Sequence, residues 1–235
     1  MEAACDPIVL PSVTRSSYQT QTAPNRELLS PPASLILKDS WPLERCVEAE
    51  MFSSFKGSFG VPSIHTSYTV EEDGKIQTTE KMVPDDAEFW NIFRDDSHGH
   101  QREVRNHQRI LSRHKGARLD SAPGPRQLFE SLIHSLLGHW NLFKGGWLHR
   151  DVSIGNILHL KEKVQCPAVT DFTCTKDITE CIGMITDGDQ AIKWRDSWRE
   201  LATHRSGTLP FTSLRLLNAW QNSRVAVHTA IDDIE

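Results

Sequence analysis

The chain has 235 residues, 38% of them hydrophobic and 24% charged, enough for one large domain or two small ones of ordinary folded character. A net charge of −5 and a pI near 6.1 give no electrostatic reason to expect a nucleic acid or an anionic membrane as partner. No apolar run approaches the ~18 residues of a membrane span, the N-terminus lacks a secretory pattern, and five scattered cysteines with no C-x-x-C pair speak against a disulfide framework or structural zinc site. An intracellular protein, cytoplasmic or nuclear, is therefore expected.

Residues 1–34 are rich in Ser, Thr, Pro and Gln and are expected to be irregular. Leu35-Ile36-Leu37-Lys38 predicts a short strand. Ser40-Trp41-Pro42 opens a helix of about 14 residues, in which Leu43, Val47, Met51 and Phe55 repeat every four positions before Lys56-Gly57 stops it. Residues 59–84 alternate weakly around Glu72-Asp73-Gly74, as a hairpin does. The charged, His-rich stretch 85–107 predicts a surface insertion or linker, and Ile110-Leu111 a short strand leading into the polar stretch 112–118. After Pro123-Gly124-Pro125 comes a helix over 126–143 with two adjacent apolar rows. These are Leu128, Leu132, Leu136 and Trp140, then Phe129, Ile133 and Leu137, and they predict a broadly buried helix ended by Gly145-Gly146. A strand at 157–160, a turn at Lys161-Glu162-Lys163 and a second strand through 170 are expected next. The stretch 172–210 has no steady period, and Leu214, Leu216 and Leu217 give a short helical pattern.

The most informative residues run from His149 to Asn156, His-Arg-Asp-Val-Ser-Ile-Gly-Asn. They set Asp151 five positions before Asn156, a spacing used in phosphoryl transfer. There the Asp accepts the proton of an attacking hydroxyl, and the Asn amide oxygen holds Mg²⁺ on the nucleotide phosphates. Asp171, at the end of the apolar run Val169-Thr170, is expected to be the other metal ligand. Lys38 at a strand end can pair with the α- and β-phosphates if a helix carboxylate fixes its ammonium group. Glu48 and Glu50 are both available. Glu48 is preferred, because Met51 and Phe52 place it on the border of the buried face, whereas Glu50 precedes Ser53 and Ser54. The histidines at 98, 100, 107 and 114 match no ligand spacing. The Trp- and Arg-bearing stretch 193–200 also carries Asp196 and Glu200 and reads as a solvated helix face.

On these residues the chain resembles the protein kinase superfamily, and more closely the fungal-type protein kinases. The closer likeness lies in Leu37-Lys38-Asp39-Ser40-Trp41, Arg45 through Glu50, His107-Gln108-Arg109-Ile110-Leu111, Leu148 through Leu158, Gly207-Thr208-Leu209-Pro210-Phe211 and His228 through Glu235. The resemblance implies an α+β, two-lobed kinase-like fold. A small β-rich N-lobe with an insertion would cover 35–118 and a mainly helical C-lobe 119–235. It also implies an ATP- and Mg²⁺-dependent transferase acting on Ser/Thr hydroxyls of a protein substrate, with catalytic Asp151 and Asn156. Thr208 would sit against Asp151. Lys38, Glu48 and Ser153 would bind the nucleotide, Ser153 standing where many kinases carry a Lys, and Asn156 and Asp171 would hold the metal. Arg150 would receive a phosphate on the Thr/Ser-rich segment 173–206.

Departures from that pattern set further expectations. The first glycine is Gly57, so no glycine-rich phosphate loop precedes the Lys38 strand and the N-lobe is expected to be incomplete. Thr173 stands where a Gly usually follows the metal-binding Asp, and Arg215 where the family carries a Glu. Asp233-Ile234-Glu235 resembles the opening of the central C-lobe helix, so a C-lobe truncated there is expected. Three readings stay open: an active protein kinase, a catalytically inactive pseudokinase or interaction protein, and a small-molecule phosphotransferase of the aminoglycoside or choline kinase type. The last shares the His-x-Asp and the downstream Gly155-Asn156.

Overall fold

A computed structural model describes residues 35–42, 47–82, 104–195, 207–222, 224 and 226–234. The expected irregular segment 1–34, most of the insertion at 85–107, the first turn of the helix after Pro42 and residues 196–206 of the Thr/Ser-rich stretch lie outside the described residues. Within them the architecture is mixed α+β, with three α-helices and small antiparallel sheets.

Strand β1 (Ile36–Ser40) is followed by helix α1 (Val47–Ser54), then β2 (Ile64–Thr69), β3 (Glu71–Glu72), β4 (Lys75–Ile76) and β5 (Gln108–Ser112). The last of these is the middle strand of a three-stranded sheet ordered β1-β5-β2. Strands β3 and β4 form the expected hairpin, with Asp73 (φ 53°) and Gly74 (φ 71°) both left-handed, the backbone that a two-residue turn between twisted strands requires. Lys38 lies opposite Ile110 and Asp39 opposite Arg109. The Lys-Asp-Ser-Trp and His-Gln-Arg-Ile strings are thus neighbours in space. Asp39 accepts from His107 Nε2 and Arg109 Nε, both at 2.8 Å, and Trp41 stacks on His107 with 4.3 Å between ring centroids. Helix α1 is built from Glu, Ala and Met, all good helix formers. It buries Met51 and Phe52 and gives way to Gly57 at φ 80°.

The second half contains β6 (Gly116–Arg118), α2 (Pro125–Lys144), β7 (Trp147–Leu148), β8 (Ile157–Gln165), β9 (Glu180–Ile185), β10 (Ile192–Lys193) and α3 (Leu214–Gln221). Two expectations are corrected here. Lys161-Glu162-Lys163 is not a turn. It continues β8, which pairs with β6 on one side and β9 on the other. Because β6 reaches only as far as Leu160, the rest of β8 runs as a two-stranded ribbon with its charges exposed, and Lys163 pairs with Glu180 across it at 2.7 Å. The returning strand is therefore β9, and the segment 166–179 is the loop that joins the two.

The second correction concerns α2, whose apolar rows are partly uncovered: Phe129 is 60% exposed, Ile133 51% and Leu136 40%. Its buried face carries small and polar residues, Ser131, His134, Ser135, Gly138 and His139, beside Leu137 and Leu142. Backbone proximity explains this. A Cβ on Gly138 would stand 2.1 Å from the carbonyl oxygen of Gly60, and one on Gly183 would stand 2.0 Å from that of Ser131. The segment before β2 and the middle of β9 both press on the helix backbone, and only small side chains permit that approach. His134 Nδ1 accepts the Ile182 N–H at 3.0 Å, and Asn141 donates to the Phe59 carbonyl at 3.0 Å, so the polar atoms there are satisfied.

One hydrophobic cluster joins Met51 and Phe52 of α1 to Val61, Ile64, Ile110, Leu142, Trp147 and Ile185; a second gathers Phe59, Leu137, Leu160, Val169 and Met184. Side chains of this size contribute about 1.5–3 kcal/mol each when fully buried. The first cluster sets α1, β7 and the end of β9 in a fixed relation; Glu48 lies on the first of these, and Asp151 and Asp187 closely follow the other two. No helix among the described residues is long and apolar enough to cross a membrane.

Candidate active site

Leaving β7, the chain enters His149-Arg150-Asp151, where Arg150 takes a left-handed backbone at φ 69°. Such a conformation costs about 1–3 kcal/mol in a non-glycine residue and persists only where the surroundings over-determine it. Here the buried Asp233 carboxylate does so. It accepts the backbone N–H of His149 at 3.1 Å and of Arg150 at 2.8 Å, and also His139 Nε2 at 3.0 Å and His228 Nε2 at 2.8 Å. Burial alone raises the Asp233 carboxyl, but the bonds from His139 and His228 outweigh it and hold the group well below its usual range.

This loop delivers Asp151, whose carboxylate is gripped on both oxygens. Thr208 donates both its N–H and its hydroxyl to Oδ1, each at 2.8 Å, and the Asn156 amide nitrogen donates to Oδ2 at 2.9 Å and to the Asp151 carbonyl at 2.8 Å. With its NH₂ committed to Asp151, Asn156 keeps its amide oxygen as an acceptor. Ser153 is buried beneath the 3-10 turn Ile154–Asn156, and its carbonyl accepts the Asn156 N–H at 3.0 Å. A small cleft lies between Asp151, Val152, Thr208, Phe211 and Asp232.

A second group forms around Lys38. Its ammonium lies 2.6 Å from Glu48, 2.6 Å from Asp187 and 3.3 Å from Asp189. Burial works against the charge on Lys38, but attraction to Glu48, Asp187 and Asp189 outweighs it and raises the amine. Desolvation pushes the Glu48 carboxyl up, opposed by Lys38 and reinforced by Asp189. Glu50 faces the other way and pairs with Lys193 of β10 at 2.5 Å, so α1 carries an inner and an outer carboxylate. The two groups are linked through Thr186. Its N–H donates to the Asn156 carbonyl at 2.8 Å, and its own carbonyl accepts His149 Nε2–H at 2.9 Å. Asp187, the next residue, is itself left-handed at φ 65°.

Asp171, expected among these residues, is not with them. It lies in the exposed loop after β8, where its carboxylate accepts from Lys144 at 2.7 and 2.8 Å and from Trp140 Nε1 at 3.1 Å, both on α2. The Lys144 bond first, and then that of Trp140, lowers its carboxyl. The residue on Lys38 is Asp187, next to the Thr186 that bonds Asn156, and sequence reasoning missed it. Val169-Thr170-Asp171 and Ile185-Thr186-Asp187 have the same form, and only the strand pairing separates them. The difference available in the sequence was Gly188 directly after Asp187, where Phe172 follows Asp171. Arg215 does not stand idle in place of the expected Glu: Nε donates to Asp232 at 3.1 Å, and the guanidinium also donates to the second Asp232 oxygen and, at 2.7 Å, to the Val227 carbonyl.

The described chain is thus a mixed α+β protein in which a strand Lys–helix Glu pair contacts an Asp following a β-hairpin, and a loop Asp–Asn pair is bonded to the residue before that Asp. The family model described as Fungal protein kinase matches residues 16–235, and the chain belongs to the fungal protein kinase family. Comparison with the curated proteins returns no match.

Proposed function

We propose that the chain is an ATP- and Mg²⁺-dependent phosphotransferase acting on Ser or Thr hydroxyls of a protein, with residues 35–118 and 119–235 as the two lobes flanking its site. The observation that carries this reading is the double linkage of Asp151 to Asn156 and, through Thr186, of Asn156 to Asp187. It ties together the backbone segments that carry the proposed base, an amide oxygen and a second carboxylate.

The donors suit the cation, since Mg²⁺ takes hard oxygen ligands at near-octahedral positions. Asp187, in the place first expected for Asp171, and the amide oxygen of Asn156 would hold it. Bound there, the ion neutralises charge on the nucleotide phosphates. Lys38 directs its ammonium toward the phosphate chain, oriented by the buried Glu48. Asp151 accepts the proton of the attacking hydroxyl as the oxygen–phosphorus bond forms and the bond to the departing diphosphate breaks. Thr208 and Asn156 fix the carboxylate orientation for that transfer. Ser153 is left to shape the turn.

The test is transfer of labelled phosphate from ATP to protein acceptors, with small amino alcohols as the competing acceptor class. Protein labelling that falls about 10²–10⁴-fold in Asp151→Asn supports the reading. Labelling of amino alcohols alone, or equal labelling by Asp151→Asn, contradicts it.

A further inference from the structure

An ammonium group has three N–H donors. On Lys38 all three are taken by carboxylates, Glu48 at 2.6 Å, Asp187 at 2.6 Å and Asp189 at 3.3 Å. Two of these partners have work in the proposed reaction, Glu48 in orienting the lysine and Asp187 in holding the cation. Asp189 has none. Its contact is the longest of the three, and its side chain is about as exposed as that of Lys38, 33% in each case.

We propose that Asp189 is a built-in competitor of the nucleotide phosphates for Lys38, so that the amine must exchange a carboxylate of its own chain for a phosphate oxygen before it can act. This inference rests on the phosphotransferase reading and adds to it a residue that tunes nucleotide affinity.

The backbone around Asp189 makes the competition a matter of one side chain. Asp189 is the middle residue of the 3-10 turn Gly188–Gln190, closed by the Ala191 N–H on the Gly188 carbonyl at 3.0 Å. Gly188 packs on α1, where a Cβ would lie 2.3 Å from the Met51 methyl. The turn is therefore held in place, and release of Lys38 from Asp189 needs only a rotation of the Asp189 side chain. Charge acts in the same direction. Three carboxylates around one ammonium leave the cluster with excess negative charge, and an incoming polyphosphate meets that charge at short range, where screening is weak. A divalent cation that draws Asp187 to itself relieves part of it, so nucleotide binding should depend steeply on the metal.

Equilibrium titration of the full chain with ATP, with and without saturating Mg²⁺, tests this on wild type, Asp189→Asn and Asp189→Glu, each checked for cooperative unfolding. Asp189→Asn removes the competing charge and is expected to bind Mg-ATP about 5–10-fold more tightly, with the largest gain at low ionic strength. Asp189→Glu keeps the charge and should stay close to wild type. Binding by Asp189→Asn alone, with no measurable binding by wild type, is the extreme form of the same result. Wild-type binding that Asp189→Asn leaves unchanged or weakens overturns the inference while the phosphotransferase reading stands. Absence of nucleotide binding in all three overturns both.

Discussion

Thr208 closes on Asp151 through two hydrogen bonds to a single carboxylate oxygen, one from its backbone N–H and one from its hydroxyl, each 2.8 Å long. The segment that follows β10 is thereby tied to the residue proposed as base, although Thr208 itself is exposed. Hydrogen bonds to a charged group contribute about 1.5–3 kcal/mol, roughly ten- to a hundred-fold in rate if they serve the transition state. Thr208→Val is expected to lower kcat by that factor and Thr208→Ser to retain most of it. Steady-state phosphotransfer of the two variants checks this, and equal rates would show that the hydroxyl bond is not used in the reaction.

Lys38 is the one cation contacting Glu48, Asp187 and Asp189 in the described site. Lys38→Met leaves Glu48 buried without its partner and is expected to cost about 1–3 kcal/mol. Adding Glu48→Gln should recover part of that loss, because an amide in the same pocket carries no charge to desolvate. Urea unfolding of the single and double variants measures both. A double variant less stable than either single one contradicts the pairing.

Gly138 and Gly60 meet backbone to backbone. Gly138→Ala must push the helix and the crossing segment apart and is expected to destabilise by about 1–3 kcal/mol, despite the better helix propensity of Ala. An alanine variant as stable as wild type in thermal unfolding would mean that the two segments are not in contact.

The Asp233 carboxyl lies below its ordinary 3.8 in the folded chain, because its bonds from His139 and His228 outweigh the cost of burial. A depressed folded value means that the unfolded chain takes up a proton first as the pH drops. The stability it contributes is complete above the unfolded value and is lost as pH falls through the folded one. Asp232 behaves alike: burial raises its carboxyl, and bonds from Arg215, Ser213 and Thr229 more than offset the rise. Unfolding free energy should decline steeply below about pH 4 in wild type and less steeply in Asp233→Asn. The Asn variant should also be less stable at neutral pH by about 3–5 kcal/mol, since it breaks a buried pair. Parallel slopes in the two proteins would remove Asp233 from the acid-labile set.

What could be read from the chain was local. The Asp151–Asn156 spacing survives folding because both residues sit on the one short loop between β7 and β8. The choice of Glu48 over Glu50 follows from which helix neighbours are apolar, and the structure sets Glu48 on Lys38 and Glu50 on Lys193. The features that escaped are set by long-range pairing. The three charges at 161–163 suggested a turn, which ended β8 early and moved the hairpin partner to the residues from 164 through 170, taking Asp171 with it. The true register puts Gln165 opposite Glu180 and brings Asp187 to the site instead. The buried face of α2 escaped for a different reason. Hydrophobic periodicity reports where apolar side chains recur, whereas this helix is approached most closely at Ser131 and Gly138, where the neighbouring backbone leaves no room for them.

The most direct measurement is the thermal shift produced by Mg-ATP in wild type, Asp187→Ala and Asp171→Ala. At a ligand concentration about a hundred-fold above Kd, binding stabilises by about 2.7 kcal/mol, which raises Tm by roughly 5–10 °C in a chain of this size. Wild type and Asp171→Ala should show that rise and Asp187→Ala should lose it. A rise that survives in Asp187→Ala but disappears in Asp171→Ala would contradict the site built on Lys38, Asn156 and Asp187.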